Sequence, residues 1–312
     1  MRLHDQIITL PGWHRYLTQL LGDEGTHSIE LALRQAVVIV ADNVAQYYFS
    51  GTDQETWDLT TDFPNVAPPF ARFWIEYRYP RLIVSEVTGA SRTPRELHEF
   101  TVGALVMGLD LQEDTKPLPH IGTNTRWQVE GVLLSSKRGM PNYIGTFQWQ
   151  VDSKGHITLD ASGRLSYGVG IPLHAQYHVE ETRQFITEVI APMMLAITFM
   201  HCQNVRLAVQ SPPAGLSRKW QRKTGQPLTR YHLLEIGPVR EILTHEGQRD
   251  QVGLKRALHI CRGHFKHYTD KGLFGKYQGT YWWPQHMRGS KESGEVIKRY
   301  DVQPTPNSSK QK

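Results

Sequence analysis

The chain has 312 residues, 39% hydrophobic and 10% aromatic, which places it among globular proteins with ample length for a core that needs no staples. Its two cysteines, Cys202 and Cys261, are far apart, so a disulfide framework is not indicated and a reducing compartment is the simpler expectation. The net charge of +5 is split: residues 1–202 hold 15 Lys/Arg against 22 Asp/Glu, a net of −7, whereas residues 203–312 hold 20 against 8, a net of +12.

At the start, MRLHDQIITLPGW sets charged and polar residues where a secretory signal needs an apolar core, so a cytoplasmic location is expected. Residues 13–21 suit a short helix closed by Gly22. Residues 28–49 place Leu33, Val37, Val40, Val44 and Tyr47 at steps of four and three, predicting one helix capped by Ser28. From Ala71 the texture changes to aromatic and β-branched residues, interrupted by Pro80, which predicts two short strands or a strand and a turn. Residues 126–171 alternate in short segments separated by Gly, Asn, Asp and Ser, the pattern of an antiparallel meander.

Residues 180–202 set Phe185, Val189, Met193 and Ile197 at steps of four and predict a core helix, kinked or broken at Pro192. Its apolar run, residues 189–200, is 12 residues long and short of the roughly 20 that span a bilayer, so no membrane contact is expected. Residues 203–227 contain prolines, clustered bases and little periodicity, and read as a basic linker or arm. Strands are predicted at TRYHLLEI, ALHICRGHFKHY, GTYWWPQHM and EVIKRYDV, with a short helix or strand at residues 239–245 and a disordered tail at 304–312.

The expected fold is therefore α+β. An acidic domain of N-terminal helices and an antiparallel β-meander (1–202) is followed by the arm (203–227) and a small, basic, mainly-β domain (228–303).

Three stretches, SRKWQRKTGQPLTRYHLLEI, LHICRGHFKHYT and LFGKYQGTYWWPQHMRG, carry a basic segment leading into Gly-x-Pro-Leu, an Arg-Gly-His-aromatic motif and a closing His-x-Arg-Gly. In this C-terminal third the chain resembles a family of uncharacterised phage- and prophage-encoded proteins. The resemblance implies a phage or mobile-element setting and no particular activity.

The chemistry-bearing residues lie in the same third. If residues 257–268 form a strand, alternation sends Arg262, His264, Lys266 and Tyr268 to one face, and His259, Cys261, Phe265 and His267 to the other. A hairpin would bring His286 and Arg288 toward the first face. Two imidazoles flanked by Arg262, Lys266 and Arg288 are the groups metal-independent RNA cleavage needs: a base, an acid, and cations for the pentavalent phosphate. The competing reading is a solvated strand face with scattered charge.

His259, Cys261, His264 and His267 could also suggest zinc, but strand alternation separates them and no metal-ligand spacing reinforces the set, so no metal or cofactor is expected. Of Trp282 and Trp283, one is expected in the core and the other outward. The arm sets Arg218, Lys219, Arg222 and Lys223 around Trp220, a polyanion-binding composition whose bland alternative is a solubilising linker. Glu76 and Glu130 read as structural carboxylates.

Together these features predict a phage- or prophage-associated protein that binds nucleic acid, RNA or DNA, and that acts as a ribonuclease if the histidines converge. The alternative is a structural or interaction protein whose basic third docks on an acidic protein surface.

Overall fold

The computed structural model describes residues 1–50, 62–79, 100–111, 125–137, 139–160, 164–172, 179–236, 257–261, 263–273, 275–283, 286–288 and 290–295. The chain is α+β and divides into two compact units. The larger unit comprises residues 1–49, 58–201 and 205–235; the smaller comprises 50–57, 202–204 and 236–312.

The larger unit begins with helices α1 (Leu3–Thr9) and α2 (Pro11–Gln35), the second bent at Gly22, whose φ of 75° only glycine adopts freely. Residues 28–49, expected as a single helix, instead form the end of α2, strand β1 (Val37–Val40) and helix α3 (Asp42–Ser50). The β-branched run VVIV suits the strand, since its side chains pack well on a pleated sheet, and pairing with β2 and β8 holds it there. The remaining strands of this unit are β2 (Arg72–Tyr79), β3 (Phe100–Asp110), β4 (Trp127–Lys137), β5 (Met140–Val151), β6 (Tyr167–Gly170), β7 (Val205–Gln210) and β8 (Tyr231–Ile236).

They build one eight-stranded sheet in the order β6-β5-β4-β3-β2-β1-β8-β7. The ladder from β2 to β6 is antiparallel throughout, its β4–β6 part being the meander expected at residues 126–171, whereas β1 pairs parallel with both β2 and β8.

Alternation along β2 assigns the two faces of the sheet. Trp74 and Glu76 face α1 and α2, where Leu3, Ile7, Trp13, Leu17 and Leu33 pack with Trp74, Leu105 and Leu134. Tyr77 faces the other way, and its hydroxyl donates to the Val189 carbonyl (2.6 Å) of helix α4 (Val179–Met200). Each fully buried large side chain of this core contributes about 1.5–3 kcal/mol relative to exposure.

Helix α4 runs through Pro192 without a break. It is long and apolar enough to cross a membrane, but 67% of its apolar window is buried inside the protein, as in a core helix.

The expected linker at 203–227 is corrected by the structure. It contains β7 and helix α5 (Ala214–Thr224), and with β8 it completes the large sheet, so the first unit runs well past residue 202. The expected strand at TRYHLLEI is present as β8, but it pairs with β1 and not with the C-terminal strands.

The smaller unit holds β9 (Ala257–Cys261), β10 (His264–Leu273), β11 (Tyr277–Trp283), β12 (His286–Arg288) and β13 (Ser290–Glu295). Strands β10 and β11 form an antiparallel pair, and β12, β9 and β13 a three-stranded sheet. The expected element at 239–245 and the tail at 304–312 lie outside the described residues, as does most of the strand expected at EVIKRYDV.

Candidate nucleic-acid interface

Helix α5 carries the basic residues singled out in the arm. At 3.6 residues per turn, Arg218, Arg222, Lys219 and Lys223 fall in that order within about 140° of the helix circumference. All four are exposed, and none makes an ion pair with another described residue. The helix contains no acidic residue.

Pro213 precedes the first turn, and Gly225, at φ 80°, closes the helix through its N–H to the Gln221 carbonyl (2.8 Å). The chain then folds back: the Leu228 N–H donates to the Ser217 hydroxyl (3.1 Å), and Arg34 donates to the Gln226 side-chain oxygen (2.8 Å). Trp220 is half-buried, with the Lys223 ammonium 5.8 Å from its ring. The basic side chains are thus carried by a helix tied at its C-terminal end.

In the smaller unit, the β10–β11 register pairs His264 with Trp283, Lys266 with Tyr281 and Tyr268 with Gly279. Those side chains share one face. The rings of His264 and Trp283 lie 12° from parallel with centroids 6.5 Å apart, and the Lys266 ammonium sits 5.1 Å from the Tyr268 ring and 5.5 Å from that of Trp283.

On the opposite face Phe265 packs on Trp282 (4.7 Å between centroids), and His267 Nδ1 lies 3.0 Å from the Thr280 hydroxyl. Trp282 and the neighbouring Tyr281 are buried, and Trp283 is half-buried. Asn204 holds the backbone of Trp282: its Oδ1 accepts the Trp282 N–H and its Nδ2 donates to the Trp282 carbonyl, both at 2.9 Å.

Of the residues expected to act in catalysis, Arg262 lies outside the described residues, and the side chains of His286 and Arg288 likewise, although their backbone forms β12. In that ladder His286 pairs with Cys261 and Arg288 with His259, while His264 pairs with Trp283. His264 and His286 therefore belong to different strand pairs, β10–β11 and β12–β9.

A second polar constellation, in the larger unit, is nearly silent in the sequence. Glu76 is fully buried, and its Oε2 accepts the His4 N–H (2.9 Å) and the Trp74 indole N–H (2.8 Å), while Oε1 lies 3.6 Å from Arg2. Burial raises the Glu76 pKa above the ordinary carboxylate value, outweighing these hydrogen bonds and the charges of Arg2 and His4. Arg2 also stacks on the Tyr231 ring (3.3 Å), and the buried Asp5 accepts the Thr229 N–H (2.9 Å).

Arg2, Asp5, Glu76 and Tyr231, with Asp42 and Arg78, line a cleft of about 290 Å³ roofed by Pro212, Pro213, Leu216 and Leu228. The only sequence signal for it is Glu76 in the otherwise apolar and aromatic run FWIEY. Its partners Arg2 and His4, and Asp5 in the same cleft, are more than 70 residues away and reach it only through the packing of the N-terminal segment.

The fold and these surfaces define an α+β protein with a large mixed sheet, an exposed basic helix and a separate aromatic–basic hairpin. No protein-family model matches the chain, and no curated protein or solved structure matches it either.

Proposed function

We propose that the protein binds nucleic acid, with the Arg218/Lys219/Arg222/Lys223 face of α5 contacting the phosphate backbone. The observation that supports this reading best is the gathering of four exposed bases, without ion-pair partners among the described residues, on one arc of a helix that carries no acid. Bases in that arrangement neutralise phosphates and release their counterions, which makes binding strong at low salt and steeply salt-dependent. A solubilising surface would ordinarily intersperse both signs of charge. The net charge of +12 over residues 203–312 adds a long-range attraction for polyanions.

The ribonuclease version needs His264 and His286 to converge; the two belong to different strand pairs, β10–β11 and β12–β9. The phage or prophage setting rests on the C-terminal resemblance. A cytoplasmic site of action rests on the sparse cysteines.

The test is a salt titration of duplex affinity for the wild type and for a variant with Arg218, Lys219, Arg222 and Lys223 all changed to Gln. The log–log slope is expected to flatten by about 0.9 for each phosphate that the variant no longer neutralises. An unchanged slope contradicts the assignment to α5. No binding to DNA or RNA at low salt, with retention on an acidic polypeptide, would instead favour docking on a protein. Cleavage of RNA that disappears in His264→Ala and in His286→Ala would restore the ribonuclease version.

A further inference from the structure

We infer that the His264/Lys266/Trp283 face of the β10–β11 hairpin is a stacking platform for single-stranded nucleic acid. The inference rests on the nucleic-acid reading above and assigns the form of substrate that this hairpin takes.

Its first support is the alignment of the rings. His264 and Trp283 are cross-strand partners whose planes differ by only 12°, so they present flat surfaces in nearly the same orientation. His264 is exposed and Trp283 half-buried.

The second is the position of the charge. The Lys266 ammonium lies 5.1 and 5.5 Å from the centroids of the Tyr268 and Trp283 rings, two rungs along from the stacked pair. A phosphate next to a stacked base would meet it there. Residues 264–268 and 279–283 include no acidic side chain that would repel that phosphate.

Spacing selects the strandedness. The His264 and Trp283 ring centroids are 6.5 Å apart, roughly twice the rise of stacked duplex bases, so the platform matches an extended chain with its bases separated. In a duplex the base faces are covered by their neighbours, and a side-chain ring reaches only edges and phosphates. An unstacked strand offers a π-face at every base, so stacking on aromatic side chains needs no particular sequence.

Preorganisation comes from the reverse face. Trp282 is buried against Phe265, and Asn204 holds both of its backbone polar groups, so the adjoining Trp283 is fixed on the platform side.

The experiment uses the full chain and labelled homopyrimidine oligonucleotides, as DNA and as RNA, single-stranded and annealed to their complements, at low salt. The expected result is single-strand binding at least about tenfold tighter than duplex binding. Trp283→Leu and His264→Ala should each weaken single-strand binding by roughly 5- to 100-fold, Trp283→Phe should restore it, and duplex affinity should not move. His264 is exposed, so His264→Ala keeps the test valid if Trp283→Leu fails to fold.

Equal affinity for strand and duplex, or unchanged single-strand binding in both stacking variants, overturns the platform. If the stacking variants are silent while the fourfold α5 variant loses salt-dependent binding, the platform falls and the nucleic-acid reading stands. If no oligonucleotide binds, both fall. The DNA and RNA arms identify which sugar the platform accepts.

Discussion

Glu76 shows how one buried carboxylate is accommodated. Its strand partner across the sheet is Gly103, and a Cβ there would enter the Trp74 indole ring. The glycine leaves room for the indole to lie over the backbone and donate to Glu76 Oε2. Burial raises the folded-state pKa of Glu76, so between the ordinary carboxyl value and that raised value the folded chain binds more protons than the unfolded one. The stability contributed by this group is therefore present at low pH and lost as pH rises through the folded pKa. In Glu76→Gln the carbonyl still accepts from His4 and Trp74 but cannot ionise. Thermal melts across pH should show the wild type losing stability relative to the variant as pH rises through this window, and parallel pH profiles would contradict the assignment. The expectation that Glu76 is structural agrees with its two hydrogen bonds, but alternation along β2 cannot reveal the Arg2 and Asp5 that share its cleft.

Among the elements, local pattern is a sound guide where one face of a segment packs and the other does not. The meander at residues 126–171 is of that kind. Strand β3 escapes such a pattern because VGALVMG has no alternation: it lies between two strands and its middle is buried on both faces. Residues 28–49 mislead because a helical spacing of apolar residues and a β-branched run coincide there, and the parallel pairing of β1 with β2 and β8 decides between them. Helix α5 resembles a linker because none of its residues is fully buried, so apolar periodicity is weak. The Asn204 clasp on β11 is a device of the same scale. Asn204→Ala removes an acceptor and a donor from buried backbone groups, and a destabilisation of roughly 1–3 kcal/mol is expected, with faster hydrogen exchange at the Trp282 amide. Unchanged exchange at that amide would show that the clasp does not hold the strand.

For the whole molecule, the end of the first folding unit is the main departure from expectation. A break after residue 202 follows the change in charge, but the sheet needs β8: it covers the open edge of β1, and the segment before it brings the Thr229 N–H to Asp5. A chain ending at 202 is therefore expected to lack a cooperative unfolding transition, whereas one ending after Ile236 keeps all eight strands and should melt cooperatively. Circular dichroism of the two fragments separates these outcomes, and cooperative melting of the shorter one would show that β8 is dispensable.

By itself the sequence determined the α+β class, the antiparallel meander, the apolar core helix and the concentration of basic and aromatic residues toward the C-terminus. Each depends on composition or on periodicity within a few residues. Tertiary structure alone decided that β1 is a strand, that the segment expected as a linker completes the large sheet, that four bases share one arc of α5, and that Arg2, Asp5 and Glu76 border one cleft. The physical reason is the range of the interactions. Side-chain alternation is written in neighbouring residues, whereas the partner that covers a strand edge or a buried carboxylate comes from tens to hundreds of residues away.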